Sequence, residues 1–234
     1  MKRIISAAVV SCFLIALFAG AKVSANKAND SSEIDRLAEM IAAEKPGSKE
    51  RDNDGEYFVT LLKTDRLKDK RVGIDDIAFA GKSILITKDE ISYGEMFYLA
   101  GGDSQKEAHE KAVKYYKEND AMYVKALRAG FDADEEEVKN YVESFREMSK
   151  TAANSEDVMK IVNAYPSEDY YWEYMLEVYK KQLPVQKYVA SLQKNFLQRE
   201  VWDKKFAWIK EEAAKEEAFT DRFSEADLTG FLAK

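Results

Sequence analysis

Ile77-Ala-Phe-Ala-Gly-Lys-Ser-Ile-Leu-Ile86, running straight into Thr87-Lys-Asp-Glu90, is the stretch whose reading decides the fold. Ile77 and Phe79 alternate on one face of a short strand, and Ile84 and Ile86 do the same on a second. Ala80-Gly81-Lys82-Ser83 joins the two, with Gly81 free to take a positive φ. A hairpin this small does not stand alone in water, so it must lie on helices. Thr87 is a good N-cap, and Glu90 three residues on completes a capping box. The helix behind it is expected to reach about Ala100, where Gly101-Gly102 stops it.

Beyond the hairpin the chain reads as helix after helix. Ser104-Gln-Lys-Glu107 is a second capping box, and its helix runs to about Ala129 with Ala108, Ala112, Tyr115, Tyr116, Tyr123, Ala126 and Leu127 at helical spacing. Gly130 fits the residue just past that helix. Asp134-Glu-Glu-Glu137 opens a third helix, its acids in the first turn where the helix dipole favours them, with Val138, Tyr141, Val142, Phe145 and Met148 as its stripe. A short helix over 155–163 turns Val158, Ile161 and Val162 inward. Ser167 caps the next, which carries Tyr170, Tyr171, Trp172, Tyr174, Met175 and Tyr179. Pro184 removes a backbone donor and predicts a kink or a restart. After it a stripe of Val185, Val189, Leu192 and Phe196 shifts by a residue to Leu197, Val201 and Trp208. Residues 210–217 read as a solvated, charged helical end, and Ser224-Glu-Ala-Asp227 as the start of a last turn.

In the other direction, Ile34, Leu37 and Ile41 predict a helix over 33–44 with Ser32 as cap, ended by Lys45-Pro46-Gly47. Residues 48–55 are a polar linker, 57–62 an apolar run that suits strand or helix, and 64–71 a charged loop. At the N-terminus, Met1-Lys2-Arg3 precedes an uncharged, mostly apolar run over 4–21, and Val23-Ser24-Ala25 offers small residues for a signal peptidase. The favoured expectation is cleavage after Ala25. An uncleaved anchor and a lipoprotein box at Val9-Val10-Ser11-Cys12 are the alternatives. Each makes the remainder an exported protein that is secreted, periplasmic or cell-envelope associated, on a membrane only if the segment is kept. Cys12 is the only cysteine, so a chain cleaved after Ala25 is stabilised by packing, not by disulfides. The expected organisation is a signal peptide (1–25), an extension and linker (26–70), a helical domain (71–183) and a C-terminal helical segment (184–234).

With 34% charged and 46% hydrophobic residues, three prolines and ten glycines among 234, the composition suits a helix-rich globular protein and not an all-β one. Residues 1–25 carry three positive charges and no negative one, so their removal takes the formal charge from −7 to about −10. That balance argues against nucleic acid as a partner.

No catalytic set emerges. His109, the only histidine, sits in a charged first turn and reads as a surface residue. It has no cysteine partner for zinc and no evident nucleophile. Gly101-Gly102 is not followed by the Lys-Ser/Thr of a phosphate loop. No catalytic, cofactor-binding or metal-binding residue is therefore expected, and no cofactor. The aromatic run Tyr165, Tyr170, Tyr171, Trp172, Tyr174 and Tyr179 has two readings. It is core wedged between several partners, or it is a surface for polypeptide clients that Phe196 and Trp202 extend. Met96, Met122, Met148, Met159 and Met175 would line either one, since methionine repacks easily.

Residues 77–189 resemble the N-terminal chaperone domain of the SurA and PrsA type of exported foldases. The hairpin into Ile86-Thr87-Lys88-Asp89-Glu90 is similar to that family's glycine turn and "I-T-x-x-E" helix start. Asp120-Ala-Met-Tyr-Val-Lys-Ala-Leu-Arg-Ala-Gly130, then Asp134 to Val138 and Tyr141, is similar to its helix ending in "A-x-x-x-G" and the acid-capped helix after it. Ser167-Glu-Asp-Tyr-Tyr-Trp172 through Lys180-Lys181-Gln182-Leu183 is similar to its "S-E-E-x-Y-W" start and basic continuation. The chain departs from the pattern in a slightly longer Gly81–Thr87 segment and in Pro184, and the 50 residues after Pro184 hold no histidine and no sign of a parvulin isomerase domain. The resemblance implies a mostly α fold with a small β-hairpin and a long C-terminal helix. It also implies an ATP-independent chaperone-like protein that binds unfolded or partly folded polypeptides without isomerase activity, with Tyr170, Tyr171, Trp172, Tyr174, Tyr179, Phe196 and Trp202 as client contacts. A dedicated assembly factor for one secreted or envelope partner is the alternative, and a reduced prolyl isomerase a more distant one.

Overall fold

The computed structural model describes residues 31–44, 61–62, 73–152, 154–194 and 199–229. The signal segment with Cys12, the linker, the 64–71 loop, Phe196 and Leu197 lie outside them. The described residues are mostly α with a small antiparallel hairpin, as the sequence predicts. In chain order they form α1 (Ser31–Glu44), β1 (Leu61–Leu62), β2 (Ile77–Ala80), β3 (Ile84–Thr87), α2 (Lys88–Ala100), α3 (Gln105–Arg128), α4 (Glu135–Thr151), α5 (Ser155–Asn163), α6 (Glu168–Gln193), α7 (Arg199–Glu217) and α8 (Glu225–Thr229).

Where the determinants are local, the sequence reading and the structure agree. The Thr87 box closes both ways, Thr87 N–H donating to Glu90 Oε2 (2.8 Å) and Glu90 N–H to Thr87 Oγ1 (3.2 Å). Ser104 with Glu107, and Ser224 with Asp227, repeat the arrangement. Ser167 Oγ accepts from Tyr170 N–H. Gly102 and Gly130 take φ of 93° and 81° past the ends of α2 and α3, a conformation a side chain resists.

The chain groups into two compact units, neither of them a consecutive stretch. Among the described residues, the first holds 31–44, 93–111 and 135–179, and the second holds 61–62, 73–92, 112–134 and 180–229. In the first, α1 packs on α5, and Ile34, Leu37 and Ile41 of α1 and Val158 and Val162 of α5 are buried. Lys160 of α5 pairs with Asp35 (2.7 Å), and Arg36 Nε donates to the terminal carbonyl of α2 at Ala100 (2.9 Å). Met148, expected on the buried stripe of α4, is exposed, and Ser149 is buried in its turn.

In the second unit the sheet has the order β1-β3-β2, both pairs antiparallel. The run over 57–62 therefore ends in a strand at Leu61–Leu62. As the central strand, β3 is buried on both faces, Ile84, Leu85 and Ile86 alike. The one-sided alternation expected for the hairpin fails for that reason. Ile77 pairs with Thr87 and Phe79 with Ile86, so one extra residue of β2 is accommodated between them, a bulge that breaks its alternation as well. The partly buried Phe79 ring lies under Lys117 Nζ at 3.7 Å.

The C-terminal segment is built onto this hairpin. Ala80 and Thr220 exchange backbone hydrogen bonds (2.8 and 2.9 Å), Lys82 N–H donates to the Glu217 carbonyl (2.9 Å), and Leu228 packs on Ile77, Ala80 and Leu85. Gly81 does not take the positive φ expected of it. It is glycine because a Cβ there would stand 2.8 Å from Cε1 of Phe219 and 3.1 Å from Oε2 of Glu217.

Of the kink or restart expected at Pro184, the restart does not occur, since helix α6 continues through it. Leu183, Pro184 and Val185 are all buried, and this packing offsets the roughly 3 kcal/mol that an interior proline costs a helix. On α7 the buried face is Trp202, Ile209 and Ala213, with Phe206 partly buried, so Val201 and Trp208, one residue earlier in each turn, are exposed. The charged end of α7 is solvated at Glu211, Lys215 and Glu216, as expected, but Ala213 and Glu217 within it are buried.

Candidate functional site

In the first unit, the Ser167 cap starts α6 so that Tyr171, Met175 and Tyr179 follow one another at helical spacing into the interior, with Trp172 beside them. Tyr171 stands edge-on to Tyr165 (5.1 Å) and Trp172 (5.0 Å), and Tyr179 lies against Tyr141 (4.8 Å) and Phe145 (6.0 Å). Trp172 meets Phe145 at 6.1 Å, its Nε1–H donates to Glu168 Oε1 (3.2 Å), and Arg146 sits over its ring. Arg146 also pairs with Glu168 (2.8 Å), closing the edge of the cluster with an ion pair. From α2, Tyr93 reaches the Tyr165 hydroxyl with its own, and both rings contact Tyr174.

Tyr93, Tyr165 and Tyr171 stay neutral. Burial pushes Tyr93 up to about 12, against the opposing effect of its hydrogen bonds to Tyr165 and Tyr174, and burial raises Tyr165 and Tyr171 too. Neutral, interlocked tyrosines are packing and hydrogen-bonding groups, not bases.

Of the client contacts expected from the sequence, Tyr171, Trp172, Tyr179 and Trp202 are buried. Tyr170 and Tyr174, one turn apart on α6, are half-buried and keep surface. Trp202, in the second unit, stacks on Phe206 at 5.4 Å, and Phe196 lies outside the described residues. Among the methionines, Met96, Met122 and Met175 are buried, whereas Met148 and Met159 are exposed.

The second unit contains two charged clusters that sequence reasoning missed. Lys181 of α6 donates to Asp120 Oδ1 of α3 (2.6 Å) and to Glu90 Oε1 of α2 (3.3 Å), and its Nζ faces the Tyr116 ring at 5.5 Å. Both carboxylates are within 1% of complete burial. Asp120 Oδ2 and the Asn119 amide nitrogen are both buried. The second cluster is Glu217, whose Oε2 accepts from Ser83 N–H (2.8 Å) while Arg128 lies 3.2 Å from Oε1 and donates to Ser83 Oγ (2.6 Å). A signal for the first cluster existed. Asp120 follows Ala112 and Tyr116 and precedes Val124 at four-residue steps, a charge in an apolar stripe. No such signal marks Glu217, which sits among acidic neighbours.

His109 is exposed, its Nδ1 2.6 Å from Glu95. Among the described residues no group of three or more histidine, cysteine, aspartate or glutamate side chains is placed to hold a metal, and no helix is long and apolar enough to cross a membrane. No family model, no curated protein and no solved structure matches this chain.

Proposed function

We propose that the chain is an exported, ATP-independent chaperone-like protein that binds unfolded or partly folded polypeptides and has no isomerase activity. What supports this reading is that the three motifs behind the resemblance to the SurA and PrsA type form the local structures they encode. These are the hairpin entering the Thr87 box, the helix ending at Gly130, and the Ser167-capped aromatic helix. Export is proposed from Lys2-Arg3, the apolar run over 4–21 and Val23-Ser24-Ala25. Clients would meet the aromatic helix at Tyr170 and Tyr174, whose rings keep surface although the Tyr170 hydroxyl itself is enclosed. Tyr171, Trp172 and Tyr179 would hold that helix in place from behind.

Light scattering from a denatured client tests the proposal. Stoichiometric protein suppresses aggregation, and Tyr170→Ser with Tyr174→Ser weakens the suppression while the far-UV circular dichroism is unchanged. No suppression by the wild-type chain, without nucleotide and with several clients, overturns it.

A further inference from the structure

We propose that the Asp120–Lys181–Glu90 cluster is a proton-operated latch that tightens the second unit as the surroundings turn acidic. The cluster joins three helices: two carboxylates share the Lys181 ammonium, and all three groups are buried or nearly so. Glu90 is committed twice over, as the capping partner of Thr87 and as a ligand of Lys181. Asp120 holds Lys181 through Oδ1, with its side chain fully enclosed. Full burial and a second carboxylate on the same ammonium disfavour the ionised form of Asp120, and a proton removes that charge.

The other charges around α3 are engaged elsewhere. Lys210 and Glu216 of α7 are taken by Glu118 (2.9 Å) and Lys125 (3.0 Å) on α3, and Lys117 lies over Phe79. Tyr115 and Tyr116 are the titratable rings facing Lys181.

The direction of the effect follows from the same geometry. Burial, and then the Glu90 charge, push the Asp120 carboxyl up to about 7 against the pull of Lys181. The folded chain takes up this proton as the pH falls through about 7. The unfolded chain waits until about 3.8. The contribution to stability is absent above the folded value, grows between the two, and is complete below the lower one.

The test compares thermal melts of the wild-type chain and Asp120→Asn from pH 8 to pH 5. The asparagine imitates the protonated acid, so the variant melts higher than wild type at pH 8 and the gap closes by pH 5. A gap that does not change with pH, or that widens in acid, overturns the latch. Should the variant not fold, the 13C resonance of the Asp120 carboxyl in the wild-type chain decides the matter. A midpoint near 7 is the expected result, and one in the ordinary carboxylate range overturns it.

Discussion

Replacing Gly81 by alanine places a methyl group in a position already claimed by the far end of the chain. The new Cβ would lie 2.8 and 3.1 Å from two ring carbons of Phe219 and 3.1 Å from Glu217 Oε2. Neither neighbour yields easily. Phe219 is packed against the cluster of Met122, Val185, Ile209 and Ala213, and Glu217 is fixed by Ser83 N–H and Arg128. Overpacking of this kind costs about 1–3 kcal/mol, against about 0.4–1 kcal/mol that alanine contributes by restricting the unfolded chain. The net loss is about 1–2 kcal/mol, a fall in melting temperature of about 2–8 °C for a chain of this length. Thermal melts read the global effect. Hydrogen exchange at the Ser83 amide reads the local one, because that amide loses its carboxylate if Glu217 is pushed aside. Adding Phe219→Leu relieves the clash, so Gly81→Ala costs less in that background than alone. A Gly81→Ala variant as stable as wild type, with Ser83 equally protected, would refute the steric argument.

Two further outcomes are expected in the same assays. Glu217→Gln keeps an acceptor for Ser83 but gives up the charged pairing with Arg128. It costs about 1–2 kcal/mol, since a hydrogen bond to a charged group is worth about 1.5–3 kcal/mol and a neutral one about 0.5–1.5, and Arg128→Met adds little once Glu217 is neutral. Tyr179→Ala empties a fully buried site between Tyr141 and Phe145 and costs about 3–5 kcal/mol, whereas the half-buried Tyr170→Ala costs clearly less; equal losses from the two would mean that the packing of α6 is misread.

What was legible in the sequence was whatever a residue and its neighbours within four positions decide. Thr87 with Glu90, Ser104 with Glu107, Ser224 with Asp227, and Gly130 are of that kind. Features set by distant partners were not legible. Nothing near Gly81 in the chain discloses that Phe219 will occupy its side-chain space. Nothing near β3 discloses that both of its faces are covered. Pro184 allows a kink or a restart by its own chemistry, and only the burial of Leu183 and Val185 beside it bears on why the helix continues. The aromatic run shows the same limit: six rings in fifteen residues announce a crowded helix, but only the positions of Tyr93, Tyr141, Phe145 and Tyr165 decide which rings are enclosed and that Tyr170 and Tyr174 are not.

The docking of Glu217 on Ser83 joins residues 134 positions apart. The hairpin is among the first regular structure of the second unit to be synthesised, yet its turn amides at Lys82 and Ser83 receive their acceptors from the end of α7, more than 130 residues later. The high contact order of this closure sets its pace, since the loop entropy must be met before the distant contact can reward it. A nascent chain halted before Glu217 carries the hairpin sequence without the means to seal it. The turn of the hairpin therefore waits for the end of α7 before its two amides are satisfied.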